Sequence, residues 1–561
     1  MLCCSNAMNG PTYEDVYGLG FKIVDRHLNC WTYPDRGATV ARTEIDTSYS
    51  FLPLKVTNAS AWGFRMKLKL EAITGVPIFL PSLDSRDMKV KMSYKSKNLK
   101  EAKLFVYALD KDMDVVKQDS ILLRSCDEFR EDSIIFDVSG VRSLSLRISA
   151  EGSDSTYEKG GGPFDETIPQ ELSLARILLS SGGRNINSFE YEDIPAPVIK
   201  RDRCLDLSPD SILTRGQFAS MTRRITALGE SVHGSAKINK ATCDFIKSSI
   251  LNDNTSMVIM EDPMLLMLFF NRYAQGYDDV SMEKLHELME YQVTNVDVLW
   301  ELADWIRSYN KETGNHVRFY GNDNYFTFTV NELRMYLDDY LELVNSEVRS
   351  SVIDSVLTVL KQPESYLVKT TAGKTLTAIQ ANAKEFSEVL GDDAEIITFY
   401  LKNLSDDIHQ PDIFDYGYDF LRRDNKMFEY ASFLIDRFCP RPQKAVISCH
   451  LGHAEYLSSN IPYHKPFGYY MKNKYGDEYV CIAQTVFQDK AMTGSPNMID
   501  FDPPSSNSIE SSLSKMGMKY LYIDTESLGE IIKKRNKGAG KDQYEDYANP
   551  HSQFDGVLHI N

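Results

Sequence analysis

A glutamate and a histidine stand three residues apart in the segment LGESVHG, Leu228–Gly234. The apolar run Ile225–Leu228 precedes Glu230, and a helical pattern, Ser235–Leu251, follows His233, so the pair is predicted to lie between a strand and a helix. Ligands collect at such places in open α/β sheets because strand ends and helix N-termini converge there. A histidine that is oriented by a carboxylate suits general-base catalysis near neutral pH. The segment therefore predicts a water-activating site.

Three other predicted strands also end in polar or titratable residues. These residues are Glu261 after Ser256–Met260, Asp323 after Val317–Tyr320, and His450 and His453 after Ala445–Cys449. Neighbouring strands of a parallel sheet lie about 4.8 Å apart, so residues at their ends can share one pocket. The alternative is a set of capping and loop-anchoring residues, but polar groups at four strand ends favour a functional site. His464, which follows shortly after His453, is a weaker candidate for a supporting residue.

Motifs of other enzyme classes are incomplete or missing. The sequence has no GxSxG, which disfavours a serine hydrolase. The segment Ala372–Thr375 (AGKT) resembles the end of a phosphate loop, but Val368 stands where the first glycine belongs. His286 and Glu287 lack the second histidine of HExxH, and there is no glycine-rich dinucleotide fingerprint.

The composition predicts a multidomain globular protein that does not bind nucleic acid. The chain has 561 residues, 42% of them hydrophobic and 11% aromatic, which is enough for two or three cores. It carries 62 basic and 80 acidic residues, a formal charge of −18. A nucleic acid or an anionic membrane surface would need a basic face. A small-molecule substrate is consistent with this charge, and the oligomeric state is open.

Targeting signals and cysteines give few further constraints. No apolar run reaches the length of about 18 residues that a membrane span needs, and MLCCSNAMNG lacks the features of a signal peptide. The chain as given therefore predicts a cytoplasmic protein, and Cys3 and Cys4 leave the alternative of an exported lipoprotein with a truncated start. The nine cysteines form no CxxC pair, and Cys449 is expected to be a buried thiol.

Residues 1–185 predict an all-β sandwich of jelly-roll type. Short runs that alternate polar and apolar residues are separated by turn residues throughout this part. The predicted strands are Phe64–Ala72, Met88–Tyr94, Leu104–Ala108, Ser133–Val138, Leu144–Ala150 and Leu172–Leu179. Residues 159–163, with three glycines, are expected to form a loop. Residues 186–216, polar and proline-bearing, are predicted to be a linker.

Residues 217–561 predict an α/β core with a parallel-type sheet and a large helical insertion at about 324–440. Strands alternate with helical patterns here, and the helices exceed what short crossovers need. The predicted helices are Met282–Thr313 as one or two, Val330–Lys361, Ala372–Leu390 and Phe414–Phe438. Gly556–Ile560 is the predicted final strand.

This second part resembles the erythromycin esterase family. The resemblance lies in the order and spacing of LGESVHG, VIMED, WELADWIRSYNKETG, FYGND, RRDNKM and SCHLGH, and it covers about 217–561. It implies an α/β core with a helical insertion and hydrolysis of an ester or lactone by activated water. It also implies His233 as the general base, Glu230 as the residue that orients it, Glu261 as an acidic partner, and His450 and His453 as histidines that face the cleft.

The resemblance extends to further residues with less definite roles. Arg423 and Asp424 match an Arg-Asp pair that opens a late helix. Substrate binding is assigned to Lys240, Asn271, Arg272 and Asp323. Two family residues are replaced: Thr242 stands where the family usually has arginine, and Leu451 where it commonly has asparagine. Both replacements bear on macrolide hydrolysis rather than on the base, the acids or the paired histidines.

Three hypotheses remain after this comparison. The first is a cofactor-free hydrolase of a small-molecule ester or lactone, with an accessory sandwich of a kind that often binds glycan. The second adds a zinc or manganese ion, because three histidines and two carboxylates are suitable ligands. The third is a non-catalytic binding protein, motivated by Thr242 and Leu451.

Overall fold

The molecule contains two separate hydrophobic cores. The computed structural model describes residues 10–21, 23–24, 27–28, 31–32, 41–58, 60–61, 64–65, 67–153, 170–207, 221–289, 297–323, 330–362, 368–406, 420–458, 461–492, 498–536 and 544–561. One core is built from residues between Tyr13 and Ile186, and the other from residues between Leu207 and Ile560. The predicted loop at 159–163 and residues 208–216 of the predicted linker lie outside the described residues.

The first core is the interior of a β-sandwich. Its strands and the short segments up to residue 206 are β1 (Ile23–Val24), β2 (His27–Leu28), β3 (Trp31–Thr32), β4 (Ala41–Ile45), β5 (Leu54–Asn58), β6 (Ser60–Ala61), β7 (Phe64–Arg65), β8 (Lys69–Thr74), β9 (Ile78–Phe79), β10 (Asp87–Lys97), β11 (Leu99–Leu109), β12 (Val115–Leu122), β13 (Cys126–Asp137), β14 (Ser143–Gly152), β15 (Glu171–Ser181), β16 (Arg184–Asn185) and β17 (Leu205–Asp206). Two six-stranded antiparallel sheets form the sandwich, with the orders β13-β10-β15-β5-β4 and β12-β11-β14-β8-β3 and with β16 and β9 paired beside β15 and β14. The pairs β1-β2 and β6-β7 are separate, and β17 joins the sheet of the second core.

Alternating burial explains why these residues form a sandwich. Along β10 every second side chain is buried, and Met88, Val90 and Met92 are fully enclosed. Leu104 and Val106 of β11, in the opposite sheet, belong to the same core. Each sheet therefore has one apolar face against its partner and one polar face outside. The prediction of an all-β sandwich before an α/β core is confirmed.

The second core surrounds a mixed sheet with helices on its faces. Its strands are β18 (Ile225–Glu230), β19 (Thr255–Pro263), β20 (Arg318–Asp323), β21 (Lys444–His450), β22 (Tyr479–Val486), β23 (Lys490–Met492), β24 (Met498–Asp500), β25 (Tyr520–Asp524), β26 (Ile532–Asn536), β27 (Tyr544–Ala548) and β28 (Gly556–Ile560). The sheet order is β17-β25-β28-β22-β18-β21-β19-β20. The run from β28 to β20 is parallel, whereas β25 and β17 add antiparallel pairs at one edge.

The helices connect and cover these strands. The α-helices of the described residues are Tyr13–Tyr17, Ala236–Asn252, Leu266–Ala274, Met282–Met289, Asp297–Thr313, Val330–Val348, Ser351–Lys361, Val368–Ala381, Ala383–Leu390, Asp392–Asp406, Phe420–Phe438, Leu451–Ala454, Phe467–Tyr475, Ile509–Ser514 and Pro550–Gln553. Those between Val330 and Phe438 follow one another between β20 and β21, where the sequence predicts the insertion. The limits of the domains and of the linker stay a prediction. No helix in the described part of the chain is both long and apolar enough to span a membrane.

Three elements differ from the sequence prediction. The helix Leu266–Ala274, which is absent from the predicted helices, is buried at every position, including its polar residues Asn271 and Arg272. Strands β19 and β20 run further than predicted, to Pro263 and Asp323. Glu261 therefore lies inside its strand, close to a register shift between Met260 and Pro263, and not in a following loop.

Candidate active site

Titratable side chains gather at the carboxyl edge of the parallel sheet. Glu230, Asp323 and His450 are the last residues of β18, β20 and β21, and Glu261 lies near the end of β19. His453 belongs to the short helix Leu451–Ala454, which begins directly after β21. Each of these side chains is buried, with 3–9% of the residue exposed. The structure thus brings the five residues together, while their catalytic roles stay a prediction.

His233 is held by Glu230 through a short hydrogen bond. The distance from His233 Nδ1 to Glu230 Oε1 is 2.5 Å. Gly234 makes this turn feasible because its φ of 75° lies in the left-handed region that suits glycine. Ser235 then caps the helix Ala236–Asn252. Since a carboxylate only accepts, the proton of a neutral ring sits on Nδ1, and Nε2 of that tautomer keeps its lone pair.

His450 lies beside His233 and presents the opposite tautomer. The ring centroids of the two histidines are 4.6 Å apart. Nδ1 of His450 accepts a hydrogen bond from the backbone N–H of Gly452 at 3.2 Å, so the proton of a neutral ring sits on Nε2. Burial and then the nearby His233 hold the pKa of His450 well below its usual range. Nε2 is buried and has no hydrogen-bond partner in the described part of the chain.

Glu261 connects β19 to β21 and to the helical insertion. Its Oε2 accepts from the backbone N–H of His450 at 2.7 Å, and its Oε1 accepts from Arg423 Nη2 at 2.7 Å. His453 Nε2 lies 3.4 Å from the same Oε1. Burial opposes the charged form, but His453 and Arg423 outweigh it and hold the pKa of Glu261 well below its usual range. Glu261 is therefore a permanent carboxylate.

Asp424 lies between two imidazoles. Its Oδ1 is 2.5 Å from His453 Nδ1, and its Oδ2 is 2.5 Å from His464 Nε2. Burial raises the pKa of Asp424, but the two histidines outweigh this and lower it to about 2. Burial likewise opposes a charge on His453, but Asp424 and then Glu261 raise its pKa to about 10. His453 is therefore an imidazolium near neutral pH and cannot accept a proton there.

Arg423 completes the network from the same helix, Phe420–Phe438. Its Nε and Nη2 donate to both carboxylate oxygens of Asp323, the Nη2 contact being 2.6 Å, and Nη2 also reaches Glu261. Arg423 Nη1 lies 3.2 Å from His453 Nε2, and the repulsion between them is smaller than the attraction of Asp424 and Glu261. The Arg-Asp pair is thus part of the cluster, and the carboxylate of Asp323 is occupied by Arg423.

Lys240, Asn271 and Arg272 do not join this cluster. Lys240 has an exposed side chain whose Nζ lies 2.9 Å from Asp244. The side-chain oxygen of Asn271 accepts from the backbone N–H of Phe319 at 3.2 Å. Arg272 donates to Asp279 at 2.7 Å. Each of these three side chains has a partner of its own, and within the described residues no contact joins them to His233, His450 or His453; their assignment to substrate binding stays a prediction.

Gln484 is a buried neighbour of the site that the sequence reasoning missed. It stands opposite Glu230 in the parallel pairing of β18 and β22. Thr242, at the position where an arginine was expected, donates to the side-chain oxygen of Gln484 at 2.9 Å. The signal in the sequence is a lone amide near the end of a largely apolar strand, every residue of which is buried. Leu451, the other replacement, is buried and packs close to Gly229.

The buried carboxylates of the cluster face side chains of the protein itself. Glu261 and Asp323 pair with Arg423, and Asp424 pairs with two imidazoles. Among the described residues, no group of three or more His, Cys, Asp or Glu side chains is arranged to hold a metal ion. As expected, Cys449 is a buried thiol, and burial raises its pKa well above the usual range.

Comparison with protein-family models matches residues 253–561 to Erythromycin esterase. The matched range includes Glu261, Asp323, Arg423, His450 and His453 and begins after His233. No curated protein sequence matches the chain.

Solved structures give matches at low identity. A protein from Bacillus cereus is 18% identical, with a TM-score of 0.47 over 63% of this chain and 91% of that chain. A succinoglycan biosynthesis protein is 17% identical, with a TM-score of 0.46 over 64% and 95%. A mutant of the erythromycin esterase EreC in its open conformation is 14% identical, with a TM-score of 0.42 over 66% and 97%.

Proposed function

The chain belongs to the erythromycin esterase family, and from this premise we propose that it hydrolyses an ester or lactone bond of a small molecule with water activated by His233. The family supports hydrolysis as the reaction class. The choice of base, of oxyanion donor and of substrate is our proposal. The observation that carries it is the pairing of two adjacent histidines in opposite tautomers, His233 with a basic Nε2 and His450 with a buried N–H.

His233 is the proposed general base. Nε2 takes a proton from water while the water oxygen attacks the acyl carbon. The imidazolium that forms is stabilised by Glu230, whose carboxylate is already 2.5 Å from Nδ1. His233 then returns the proton to the departing alkoxide oxygen, so that the products are the acid and the alcohol. No covalent enzyme intermediate is needed.

His450 is the proposed donor to the oxyanion. A tetrahedral intermediate places negative charge on the former carbonyl oxygen, and a fixed N–H at that position stabilises it. The N–H of His450 is buried and has no acceptor within the described residues, and the low pKa keeps the ring neutral. His453 is less suited because its ring is fixed between Asp424 and Glu261, and Lys240 is less suited because its Nζ is exposed and paired with Asp244.

His233→Ala tests the proposal directly. General-base assistance contributes about 10²–10⁴-fold, so the variant is expected to lose about 3 kcal/mol or more of transition-state stabilisation. Activated nitrophenyl esters and a panel of lactones serve as substrates, with release of nitrophenol or acid as the readout. His316→Ala is the matched control because His316 is exposed and its ring contacts Gln275, which is not part of the cluster. Parent-like turnover by His233→Ala would reject His233 as the base.

The two rival hypotheses make different predictions in the same assay. A metal-dependent hydrolase loses activity after chelation and regains it with zinc or manganese. A non-catalytic binding protein does not hydrolyse the esters and lactones of the panel. Any background hydrolysis is then the same in the parent and in His233→Ala. The carboxylates of Glu261, Asp323 and Asp424 are already paired with Arg423 or with the His453 imidazolium, which supports the metal-free version.

Glycan binding by the sandwich is a secondary proposal with its own surface. Tyr49, Phe51 and Phe129 form a ring cluster with centroid distances of 4.8–5.4 Å, and Phe51 is 54% exposed. Lys95 Nζ donates to the hydroxyl of Tyr49 at 3.1 Å, which adds a polar edge. Aromatic faces with adjacent polar groups suit sugar rings.

Affinity electrophoresis in soluble polysaccharides, with Phe51→Ala and Phe129→Ala, tests glycan binding by this surface. Equal mobility of parent and variants in every polysaccharide would reject it.

A further inference from the structure

The outer face of one sandwich sheet carries a platform built around an arginine. Arg147 of β14 lies directly opposite Phe105 of β11, and its guanidinium carbon is 5.0 Å from the ring centroid of Phe105. Tyr107 stacks beside Phe105 on the same strand. Arg147 Nε donates to Glu71 of β8 at 2.6 Å, which fixes the guanidinium plane. We call Phe105, Tyr107 and Arg147 the platform.

Tyr463, from the second part of the chain, covers this platform. Its ring centroid lies 4.4 Å from the guanidinium carbon of Arg147 and 5.5 Å from the ring centroid of Tyr107. A guanidinium at this distance over an aromatic face is attracted to it, and more strongly when partly desolvated. The contact therefore fixes the segment that leads from β21 to the helix Phe467–Tyr475.

The next residue after Tyr463 reaches the catalytic cluster. His464 is 2% exposed, and its backbone N–H donates to the carbonyl of Ile461 at 2.8 Å. Its Nε2 lies 2.5 Å from Asp424 Oδ2, while Asp424 Oδ1 lies 2.5 Å from His453 Nδ1. A continuous chain of contacts thus leads from the outside of the sandwich to His453.

A second attachment holds the sandwich in place relative to the α/β core. Asn549 Nδ2 donates to the backbone carbonyl of Lys111 at 2.9 Å, and Ser552 Oγ donates to that of Asp112 at 2.7 Å. Tyr191 and Tyr547 share a hydrogen bond of 2.8 Å. Because these contacts lie at separate places, they fix the position of the platform relative to Tyr463.

We propose that the β-sandwich is a positioning element of the active site, in which Arg147 and Tyr107 hold Tyr463 so that His464 supports Asp424 and Asp424 supports His453. The inference rests on the proposed function and adds a role for the first domain that is independent of glycan binding. Tyr463 and His464 are positioning residues, since they act through Asp424. Buried Asp424 depends on both imidazoles because an unpaired buried carboxylate is strongly unfavourable.

Tyr463→Ala and Tyr463→Phe, made in the full chain, separate the proposal from a general loss of stability. Phenylalanine keeps the ring that meets Arg147, whereas alanine removes it. Tyr463→Ala is expected to lower kcat about tenfold or more with little change in KM, because small displacements of supporting groups reduce kcat. Tyr463→Phe is expected to match the parent. Arg147→Gln breaks the same contact from the sandwich side and should behave like Tyr463→Ala.

Proton NMR gives a signal that would not change in the variants if Tyr463 and Arg147 served only the general stability of the protein. The short hydrogen bond between His453 and Asp424 should give a strongly downfield proton signal, which His453→Gln identifies by its loss. The signal should shift or broaden in Tyr463→Ala and Arg147→Gln and persist in Tyr463→Phe. Ile135→Ala, which changes an exposed side chain of β13 in the sandwich, is the control for kcat and for the signal.

The possible outcomes are distinct. Parent-like kcat and an unchanged signal in both Tyr463→Ala and Arg147→Gln would overturn the inference. If Tyr463→Ala does not fold, Arg147→Gln decides by the same two measurements. A failure of the proposed function is recognised separately, since His233→Ala would then turn over substrate like the parent, whereas the NMR signal would still report on the contact chain.

Discussion

Replacing Glu230 by glutamine changes one charge and leaves the shape of the site nearly intact. In the parent, the carboxylate fixes the proton of His233 on Nδ1 at a distance of 2.5 Å and then stabilises the imidazolium. In Glu230→Gln the amide either accepts from Nδ1–H without a charge or donates to Nδ1. The second arrangement moves the proton to Nε2 and removes the lone pair that accepts from water.

The size of the effect follows from burial and distance. The side chains of His233 and Glu230 are 8% and 10% exposed, so solvent screens their interaction weakly. Unit charges about 4 Å apart at an effective dielectric constant of about 20 attract each other by about 4 kcal/mol. Because this attraction exists only once His233 is protonated, its loss raises the barrier and leaves binding unchanged. We expect kcat to fall by about 10³-fold, with KM within a factor of about three.

Steady-state hydrolysis of a nitrophenyl ester, followed by nitrophenolate absorbance, measures both constants. Glu526→Gln, the same change at an exposed site, controls for effects of the substitution itself. Circular dichroism and thermal unfolding check that the variant is folded. A folded Glu230→Gln enzyme with kcat within threefold of the parent would refute the assignment of Glu230 and His233 as an oriented base.

Three other predictions test the remaining parts of the site. His450→Ala should lower kcat by about 10²–10³-fold through loss of an oxyanion donor, and unchanged kcat would exclude that role. The pKa of His453 is raised to about 10 from an unfolded value near 6.5, so its contribution to stability is complete below about pH 6.5 and is lost as the pH rises through 10. Urea unfolding across this pH range should show that the free energy of unfolding declines as the pH rises, and that the decline is smaller in His453→Gln. Equal declines in the parent and the variant would contradict the assignment of His453 as a cation. Treatment with EDTA followed by gel filtration should leave kcat unchanged, because Arg423 and the His453 imidazolium already pair with the carboxylates. Activity that returns only with added zinc would favour the metal-dependent mechanism.

The local sequence was sufficient to predict those features that depend on residues close together along the chain. Glu230 and His233 are three residues apart at the end of a strand, and a glycine turn with a serine cap follows them. That spacing alone constrains the two side chains to meet. The alternation in the first part likewise predicts strands and one apolar face, because the period of a strand is two whatever its partners are.

Other contacts of the site could not be predicted in this way. Arg423 meets Glu261 across 162 residues, and His464 meets Asp424 in a segment with no motif of its own. Lys240 illustrates the opposite case: it lies close to His233 in sequence, but its position on the helix places it in solvent, beside Asp244. Proximity along the chain is therefore a poor guide once a helix has turned a side chain away.

The sequence by itself determined the fold class and the residue types at the edge of the sheet, since strand periodicity and turn chemistry are local properties, and its ordered motifs carried the resemblance to the family. Only the tertiary structure decided which carboxylates face Arg423, that His453 is a fixed cation while His450 is neutral, and that the sandwich contacts the segment beside the site. Ionisation depends on burial and on charges a few ångströms away, and those charges come from parts of the chain that only folding brings together.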